Sequence, residues 1–204
     1  MNHTNERMRR PIVWISILGA LVIVAAAIVT VTSTSDEPGS DSDTANPESA
    51  AVDYDQALAG APAPLAKLYA QGDALIPGGA DAYEAELAKH RGHPVDVNNW
   101  ASWCGPCRYE FPFFQSQAAQ QGKRIAFLGV DTEDSEDAAR TFLDELPLPY
   151  PSVSDPDKEV DKIIDGFYNP STAFYSPAGE LLHTKLGGYA SEAELEADIE
   201  RYLG

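Results

Sequence analysis

Cysteine is scarce in this sequence of 204 residues: there are two, Cys104 and Cys107, three positions apart. A secreted domain held by several disulfides spreads its cysteines along the chain, and a structural zinc site usually takes four Cys or His ligands. Neither pattern is present here. The single close pair is therefore itself the candidate for the working part of the protein.

Basic residues are also few, because 14 Lys and Arg stand against 32 Asp and Glu, which gives a net charge of −18. A surface this acidic repels phosphate groups, which argues against binding to nucleic acid or to anionic lipid head groups. The rest of the composition, 44% apolar and 23% charged, is that of a globular chain. Solubility is the simplest explanation for the acidity.

The longest apolar run lies near the N-terminus. Residues 11–32 (PIVWISILGALVIVAAAIVTVT) carry no charge and follow Arg7, Arg9 and Arg10. About 20 apolar residues cross a bilayer as a helix, and the arginines place residues 1–10 in the cytoplasm. A cleaved signal peptide is an alternative, but the run has a poor cleavage signal. The sequence predicts a single-pass signal anchor in the cell membrane, with the rest of the chain outside the cytoplasm.

An acidic segment separates this predicted transmembrane helix from the folded part. Residues 33–60 are rich in Ser, Thr, Asp, Glu, Pro and Ala, and no Lys or Arg occurs between Arg10 and Lys67. This composition predicts a flexible linker. Residues 61–204 form the predicted domain, whose helical stretch 61–91 is expected to pack on the sheet or to contact a partner.

Turn residues and apolar periodicity divide the domain into alternating elements. Strands are predicted at 94–101, 125–130, 171–175 and 180–186, the last two as a hairpin. A first helix is predicted from about residue 61, and a second runs from its N-cap Asp81 to residue 89. Further helices are predicted at 104–121, 135–146 and 155–164. The last helix begins at the capping box Ser191-x-x-Glu194. The order predicts an α/β fold with a mixed central sheet flanked by helices.

The cysteine pair lies in the run Trp103-Cys104-Gly105-Pro106-Cys107, at a predicted strand-to-helix junction. Free N–H groups and the dipole at a helix N-terminus stabilise a thiolate, which lowers the pKa of the first cysteine. Pro106 suits the first helical turn, where it loses no hydrogen bond. Cys107 is close enough to attack a mixed disulfide. The pattern predicts Cys104 as the attacking thiol and Cys107 as the resolving thiol, with their disulfide in place of a cofactor and no metal.

This region resembles the thioredoxin superfamily and, within it, the membrane-anchored TlpA/ResA-like thiol–disulfide oxidoreductases. The resemblance rests on residues 97–112 (VNNWASWCGPCRYEFP), on 128–131 (LGVD) and on 168–172 (YNPST), and it covers roughly residues 92–204. It implies a thioredoxin-like fold. It also implies exchange of disulfides with protein thiol substrates outside the cytoplasm.

The resemblance assigns roles to further residues. It implies that Pro170 is cis and faces the cysteines, so that a substrate strand can pair with the backbone at Asn169. Glu110 matches an acidic residue that moves a proton to or from Cys107, although a glutamate that only stabilises the helix dipole is an equal alternative. The other predicted substrate contacts surround Cys104, namely Trp103, Gly105 and Pro106.

Several positions depart from the family pattern. Asn98 stands where thioredoxins often have a buried acid, so proton transfer would depend on Glu110 or water. Asn99 replaces a usual aromatic residue, and Asp96 makes the strand more polar than a central strand normally is. Trp100 is expected in the core. The histidines His90 and His93 are expected on the surface.

Three functions are open at this point. A Gly-Pro pair between the cysteines is typical of reducing thioredoxins, so the first is a protein disulfide reductase that draws electrons from a transmembrane thiol donor, with apocytochrome c as one client class. The second is an oxidant that forms disulfides in secreted proteins. The third is a Sco-like copper-binding module that uses Cys104, Cys107 and His183. No Pro-x-x-x-Thr-x-x-Cys run is present, which argues against a peroxiredoxin-type peroxidase.

Overall fold

The computed structural model describes residues 52–204. The predicted cytoplasmic tail, the transmembrane anchor and most of the acidic linker lie outside the described residues, so they stay predictions. Within residues 52–204, no helix is long and apolar enough to cross a membrane.

Seven helices and six strands make up the described chain. The helices are α1 (Tyr54–Ala57), α2 (Ala63–Tyr69), α3 (Gly79–Lys89), α4 (Gly105–Gln121), α5 (Glu136–Glu145), α6 (Glu159–Ile164) and α7 (Glu192–Leu203). The strands are β1 (Leu75–Pro77), β2 (Val95–Trp100), β3 (Ala126–Thr132), β4 (Ser152–Asp155), β5 (Ser171–Tyr175) and β6 (Leu181–Leu186).

All six strands belong to one sheet, in the order β1-β4-β3-β2-β5-β6. Strands β1, β4, β3 and β2 are parallel, whereas β5 pairs antiparallel with β2 and with β6. The predicted α/β fold with a mixed central sheet is therefore confirmed, as is the hairpin. Strand β2 leads into the cysteine motif and lies inside the sheet, between β3 and β5.

Helices cover both faces of the sheet. One apolar cluster contains side chains of α4, α5 and α7, and the other contains side chains of α2, α3 and α6. The stretch 61–91 therefore packs on the sheet. Because successive strand residues point to opposite faces, β2 contributes to both layers, with Asp96, Asn98 and Trp100 on the α4 side and Val95, Val97 and Asn99 on the α6 side.

Strands β1 and β4 are not predicted from the sequence. Strand β1 has three residues and β4 has four, and β4 contains the polar residues Ser152 and Ser154. Neither strand forms the apolar run by which a buried strand is recognised. Each pairs in register with a neighbouring strand, so their place in the sheet depends on tertiary contacts.

Helix boundaries are correct where a side-chain cap marks them. Ser135 and Ser191 are the N-caps of α5 and α7, as predicted, and each side chain accepts a backbone hydrogen bond. The predicted start of α3 at Asp81 is wrong, because the helix begins at Gly79 after Gly78, which has a φ of 129°. Helix α1 lies within the predicted linker.

The expectation of a surface position for His90 is also wrong. His90 is the C-cap residue of α3 and is 3% exposed. Helix α3 packs along β4 and α6, and His90 lies on its buried face, as Tyr83 and Glu86 do. The neighbouring His93 is partly buried.

Candidate active site

The two cysteines lie at the N-terminus of α4, immediately after β2. Cys104 is the N-cap residue, and its sulfur accepts a hydrogen bond from the backbone N–H of Cys107 at 3.2 Å. A disulfide joins them, with their Cα atoms 5.3 Å apart. The free N–H groups and the dipole of α4 favour negative charge on the Cys104 sulfur. This geometry supports Cys104 as the attacking thiol.

Exposure differs sharply around the pair. Cys104 is 4% exposed, Cys107 is fully buried, and Gly105 and Pro106 between them are exposed. Cys104 is therefore the more accessible of the two cysteines.

Exposed aromatic side chains surround the site. Trp103 is 59% exposed, and its indole N–H donates to the backbone oxygen of Glu133 at 3.0 Å. Tyr109, two residues after Cys107, and Phe167 and Tyr168, just before Asn169, are also exposed. Of these aromatic residues, only Trp103 is predicted as a site residue, because an exposed aromatic residue leaves no periodic signal in the sequence. Contact of Trp103 with a substrate stays a prediction.

The peptide bond between Asn169 and Pro170 is cis, as the family resemblance implies. Gly188 shows how close the site residues are, because a Cβ atom there would lie 3.3 Å from Pro170 Cγ, 3.6 Å from Pro106 Cβ and 3.3 Å from Glu110 Oε2. The structure therefore brings three of the predicted site residues together around one point. Gly188 itself was not predicted.

Glu110 is fully buried one turn after Cys107 on α4. Its carboxylate accepts hydrogen bonds from Asn98 Nδ2 at 3.2 Å and from the backbone N–H of Tyr189 at 2.9 Å. Burial raises the pKa of Glu110 to about 7, against the opposing effects of these hydrogen bonds and of the Lys185 charge. Glu110 therefore changes protonation near neutral pH, which favours the proton-transfer role over a purely dipolar one.

The loop after β6 completes the surroundings of Glu110. Lys185 Nζ donates to the backbone oxygens of Gly187 at 2.7 Å and Gly188 at 3.0 Å. The same ammonium group lies 4.3 Å from the centroid of the Tyr189 ring. Lys185 thus holds the backbone that supplies the N–H of Tyr189. No motif in the sequence pointed to these residues.

Asn99 stands where the family usually has an aromatic residue, and its amide explains the difference. Its Nδ2 lies 2.8 Å from Asp161 Oδ1, 3.2 Å from Asn169 Oδ1 and 3.3 Å from Ser171 Oγ. A phenyl ring has no donor group for these three oxygens. Asn99 therefore connects β2 to α6 and to the segment that carries the cis proline.

A second buried acid lies at the end of β3, next to the cysteine loop. Asp131 is 1% exposed, and its pKa is raised to about 8. Burial is the main cause, and the nearby carboxyl groups of Asp134 and Asp155 add to it. Asp134 accepts a hydrogen bond from the backbone N–H of Ser102 at 2.6 Å. These acids border the segment that leads into Cys104.

His183 is not brought to the cysteines. Its ring stacks on Tyr202 at 4.4 Å between centroids, and it pairs in register with Phe174. Phe174 lies four residues beyond Pro170 on β5, a distance of about 13 Å along a strand. Across residues 52–204, no three His, Cys, Asp or Glu side chains are grouped so that they could hold a metal ion. The ligand set of the copper hypothesis is therefore not assembled here.

A mixed sheet, with a disulfide at a helix N-terminus and a cis proline close to Pro106 of the same motif, defines a thioredoxin-like domain. Comparison with known proteins specifies the family. Residues 59–184 match the model of the AhpC/TSA family. The chain belongs to this family.

Named relatives and a solved structure agree with this assignment. The chain is 31% identical over 123 residues to the thiol-disulfide oxidoreductase ResA of Oceanobacillus iheyensis. The aligned region is 56% of this chain and 64% of that relative. It is 34% identical over 150 residues to the thiol:disulfide interchange protein HelX of Rhodobacter capsulatus. The aligned region is 72% of this chain and 78% of that relative. A Chlorobium tepidum structure described as a DsbE-type thiol:disulfide interchange protein has 28% identity and a TM-score of 0.53, and covers 58% of this chain and 85% of that chain.

The shared length is limited for the ResA proteins. The chain spans 64% of the Oceanobacillus iheyensis relative and 58% of the ResA from Bacillus subtilis, which is under two thirds in both cases.

Proposed function

We propose that this protein is a thiol–disulfide oxidoreductase that exchanges disulfides with client proteins through Cys104 and Cys107. The observation that carries the proposal is a disulfide at the start of α4 with a buried carboxyl group one turn away that titrates near neutral pH. Relatives named as thiol-disulfide oxidoreductase and interchange proteins support it.

The site supports a two-step exchange. In the reducing direction, the Cys104 thiolate attacks a client disulfide, a mixed disulfide forms, and one client sulfur leaves as a thiolate that takes a proton. Cys107 then transfers its proton to the Glu110 carboxylate and attacks the Cys104 sulfur. The second client sulfur is released, the Cys104–Cys107 disulfide forms, and two electrons have passed to the client. The oxidising direction reverses every step.

Reduction is the proposed direction. The dipeptide Gly105-Pro106 between the cysteines matches the motif of reducing thioredoxins. The predicted anchor at residues 11–32 supports a location outside the cytoplasm, where a reductase needs electrons from a transmembrane thiol donor. Disulfide-bonded secreted proteins are then the proposed clients, with apocytochrome c as one class.

The reduction potential of the cysteine pair tests this proposal. The full-length protein, equilibrated in defined dithiothreitol or glutathione buffers and analysed by thiol mass-tagging, is expected to show a potential near that of thioredoxin, about −270 mV. A potential of about −120 mV would instead identify a disulfide-forming oxidant. If no intramolecular disulfide forms at all, the oxidoreductase proposal is wrong.

The same preparation tests the copper hypothesis. A copper carrier would retain Cu(I) stoichiometrically in its reduced form and lose that copper in the variant His183→Ala. Because the His183 ring stacks on Tyr202 rather than facing the cysteines, we expect this substitution to leave metal retention unchanged.

A further inference from the structure

The turn that leads into Cys104 is held by the loop between β3 and α5. Asp134, in that loop, accepts a hydrogen bond from the backbone N–H of Ser102, and the distance to its Oδ2 is 2.6 Å. Beside it, the indole N–H of Trp103 donates to the backbone oxygen of Glu133 at 3.0 Å. Both contacts reach the two residues immediately before Cys104. The position of this cysteine therefore depends on the β3–α5 loop.

The β3–α5 loop is itself fixed by its own contacts. Asp134 Oδ1 accepts a hydrogen bond at 2.8 Å from the backbone N–H of Ser135, the N-cap residue of α5. The side chain of Glu133 forms an ion pair with Lys158 at 2.9 Å. Glu133 also has a φ of 52°, a left-handed conformation that a residue other than glycine keeps only where its surroundings hold it. The loop therefore presents the Asp134 carboxylate to Ser102 in a fixed position.

The Asp134 carboxylate lies close enough to Cys104 for its charge to act on the sulfur. Ser102, to which it is hydrogen-bonded, is two residues before Cys104, so the Cα atoms of these two residues are within about 7.6 Å of each other. The backbone N–H of Cys104 donates to the backbone oxygen of Ala101 at 3.1 Å, which closes the turn. A carboxylate at this range disfavours negative charge on a thiol.

Other charged groups lie around the turn, on β3, α4, α5 and the adjoining loops, namely Asp131, Glu133, Lys158, Arg108, Glu110 and Glu145. Besides the pair of Glu133 with Lys158, Arg108 forms an ion pair with Glu145 at 2.7 Å. Burial raises the pKa of Asp131 to about 8, so this acid is mainly protonated at pH 7. Asp134 has no ion pair within residues 52–204, so no basic side chain there offsets its charge.

We infer that Asp134 is a positioning residue of the redox site, whose carboxylate fixes the turn before Cys104 and makes negative charge on that sulfur less favourable. The dipole of α4 acts in the opposite sense, so the acidity of Cys104 reflects a balance between the two. A less stable thiolate disfavours the reduced form of the cysteine pair, which makes the pair a stronger reductant. The inference rests on the proposed function and deepens it, because it names a residue that favours the reducing direction.

Replacing Asp134 with asparagine in the full-length protein tests the inference. Asp134→Asn removes the charge and keeps one of the two acceptor oxygens. The pKa of the Cys104 thiol, measured from the pH dependence of its alkylation by iodoacetamide, should fall by about 0.5–1. The equilibrium of the pair with dithiothreitol should shift about 2–10-fold toward the dithiol, which corresponds to a potential higher by about 10–30 mV.

The matched control is Asp157→Asn. Asp157 borders the same cavity as Asp134 and is exposed, but it lies in the turn between β4 and α6. This substitution removes the same charge without altering the support of the cysteine turn, so the thiol pKa and the potential should stay as in the unaltered protein. If Asp134→Asn lowers the melting temperature but leaves the thiol pKa and the potential unchanged, Asp134 is only structural and the inference is overturned.

A measurement on the unaltered protein covers the case in which Asp134→Asn does not fold. Because interacting groups affect each other's titration, the carboxyl carbon-13 resonance of Asp134 should show an inflection at the pKa of Cys104 in the dithiol form. The disulfide form should lack that inflection, and identical titration curves in the two forms would contradict the inference. The proposed function is decided separately, by the absolute potential of the unaltered protein, whereas the inference depends on the difference between the two aspartate variants.

Discussion

Replacing Cys104 with serine is expected to abolish disulfide exchange, whereas Cys107→Ser is expected to leave the protein covalently joined to its clients. Cys104, at the N-cap of α4, is the more accessible of the two cysteines, so we expect no mixed disulfide to form without it. Without Cys107 the mixed disulfide forms but cannot be resolved. Catalysed reduction of a disulfide-bonded test protein, followed on non-reducing gels, measures both effects.

The small number of cysteines makes this experiment decisive. Since the chain contains two cysteines, a complex trapped by Cys107→Ser must be linked through Cys104. The trapped species should disappear on addition of dithiothreitol, and the double variant Cys104→Ser/Cys107→Ser should trap nothing. Trapping by Cys104→Ser in place of Cys107→Ser would show that the two roles are reversed.

The second large effect is expected at Glu110. Because its pKa is about 7, Glu110 is a carboxylate above that pH and can accept the proton of Cys107. The rate constant for client reduction by the dithiol form should therefore rise between about pH 6 and 8 and then level off. Glu110→Gln should lower this rate constant by about 10²–10⁴-fold and abolish its rise between about pH 6 and 8. Stopped-flow measurements between pH 5 and 9 give both quantities.

A matched variant separates proton transfer from a general effect of charge. Glu84 is an exposed glutamate on α3, and Glu84→Gln should keep the wild-type rate and profile. The Glu110 assignment is wrong if Glu110→Gln keeps the rise near pH 7. In that case the glutamate only stabilises the helix dipole, the alternative left open by the sequence.

The sequence predicts those parts of the fold and site that depend on neighbouring residues. Ser135 and Ser191 cap helices through contacts three residues away, and the cysteine pair lies within one helical turn. The family resemblance adds the cis bond before Pro170, which spacing alone does not distinguish from an ordinary loop proline.

The remainder depends on contacts between distant segments. Tyr189 donates to Glu110 across 79 positions, and Asn99 reaches Asn169 across 70. Nothing in the spacing of these residues marks them as partners. Short strands such as β1 are recognisable only once their neighbour is in place, and the burial of His90 follows from the packing of α3 rather than from its own surroundings in the chain.

Burial of carboxyl groups also links folding to proton concentration. The pKa values of Glu110, Asp131 and Asp96 are all raised above their ordinary values of 4.5, 3.8 and 3.8. The folded chain thus binds more protons than the unfolded chain. The stabilisation that these bound protons give to the folded state is complete below about pH 4, and it is lost as the pH rises through about 7 and 8. For Glu110 the loss amounts to about 3 kcal/mol. These three buried acids therefore make the free energy of unfolding fall from mild acid to mild alkali.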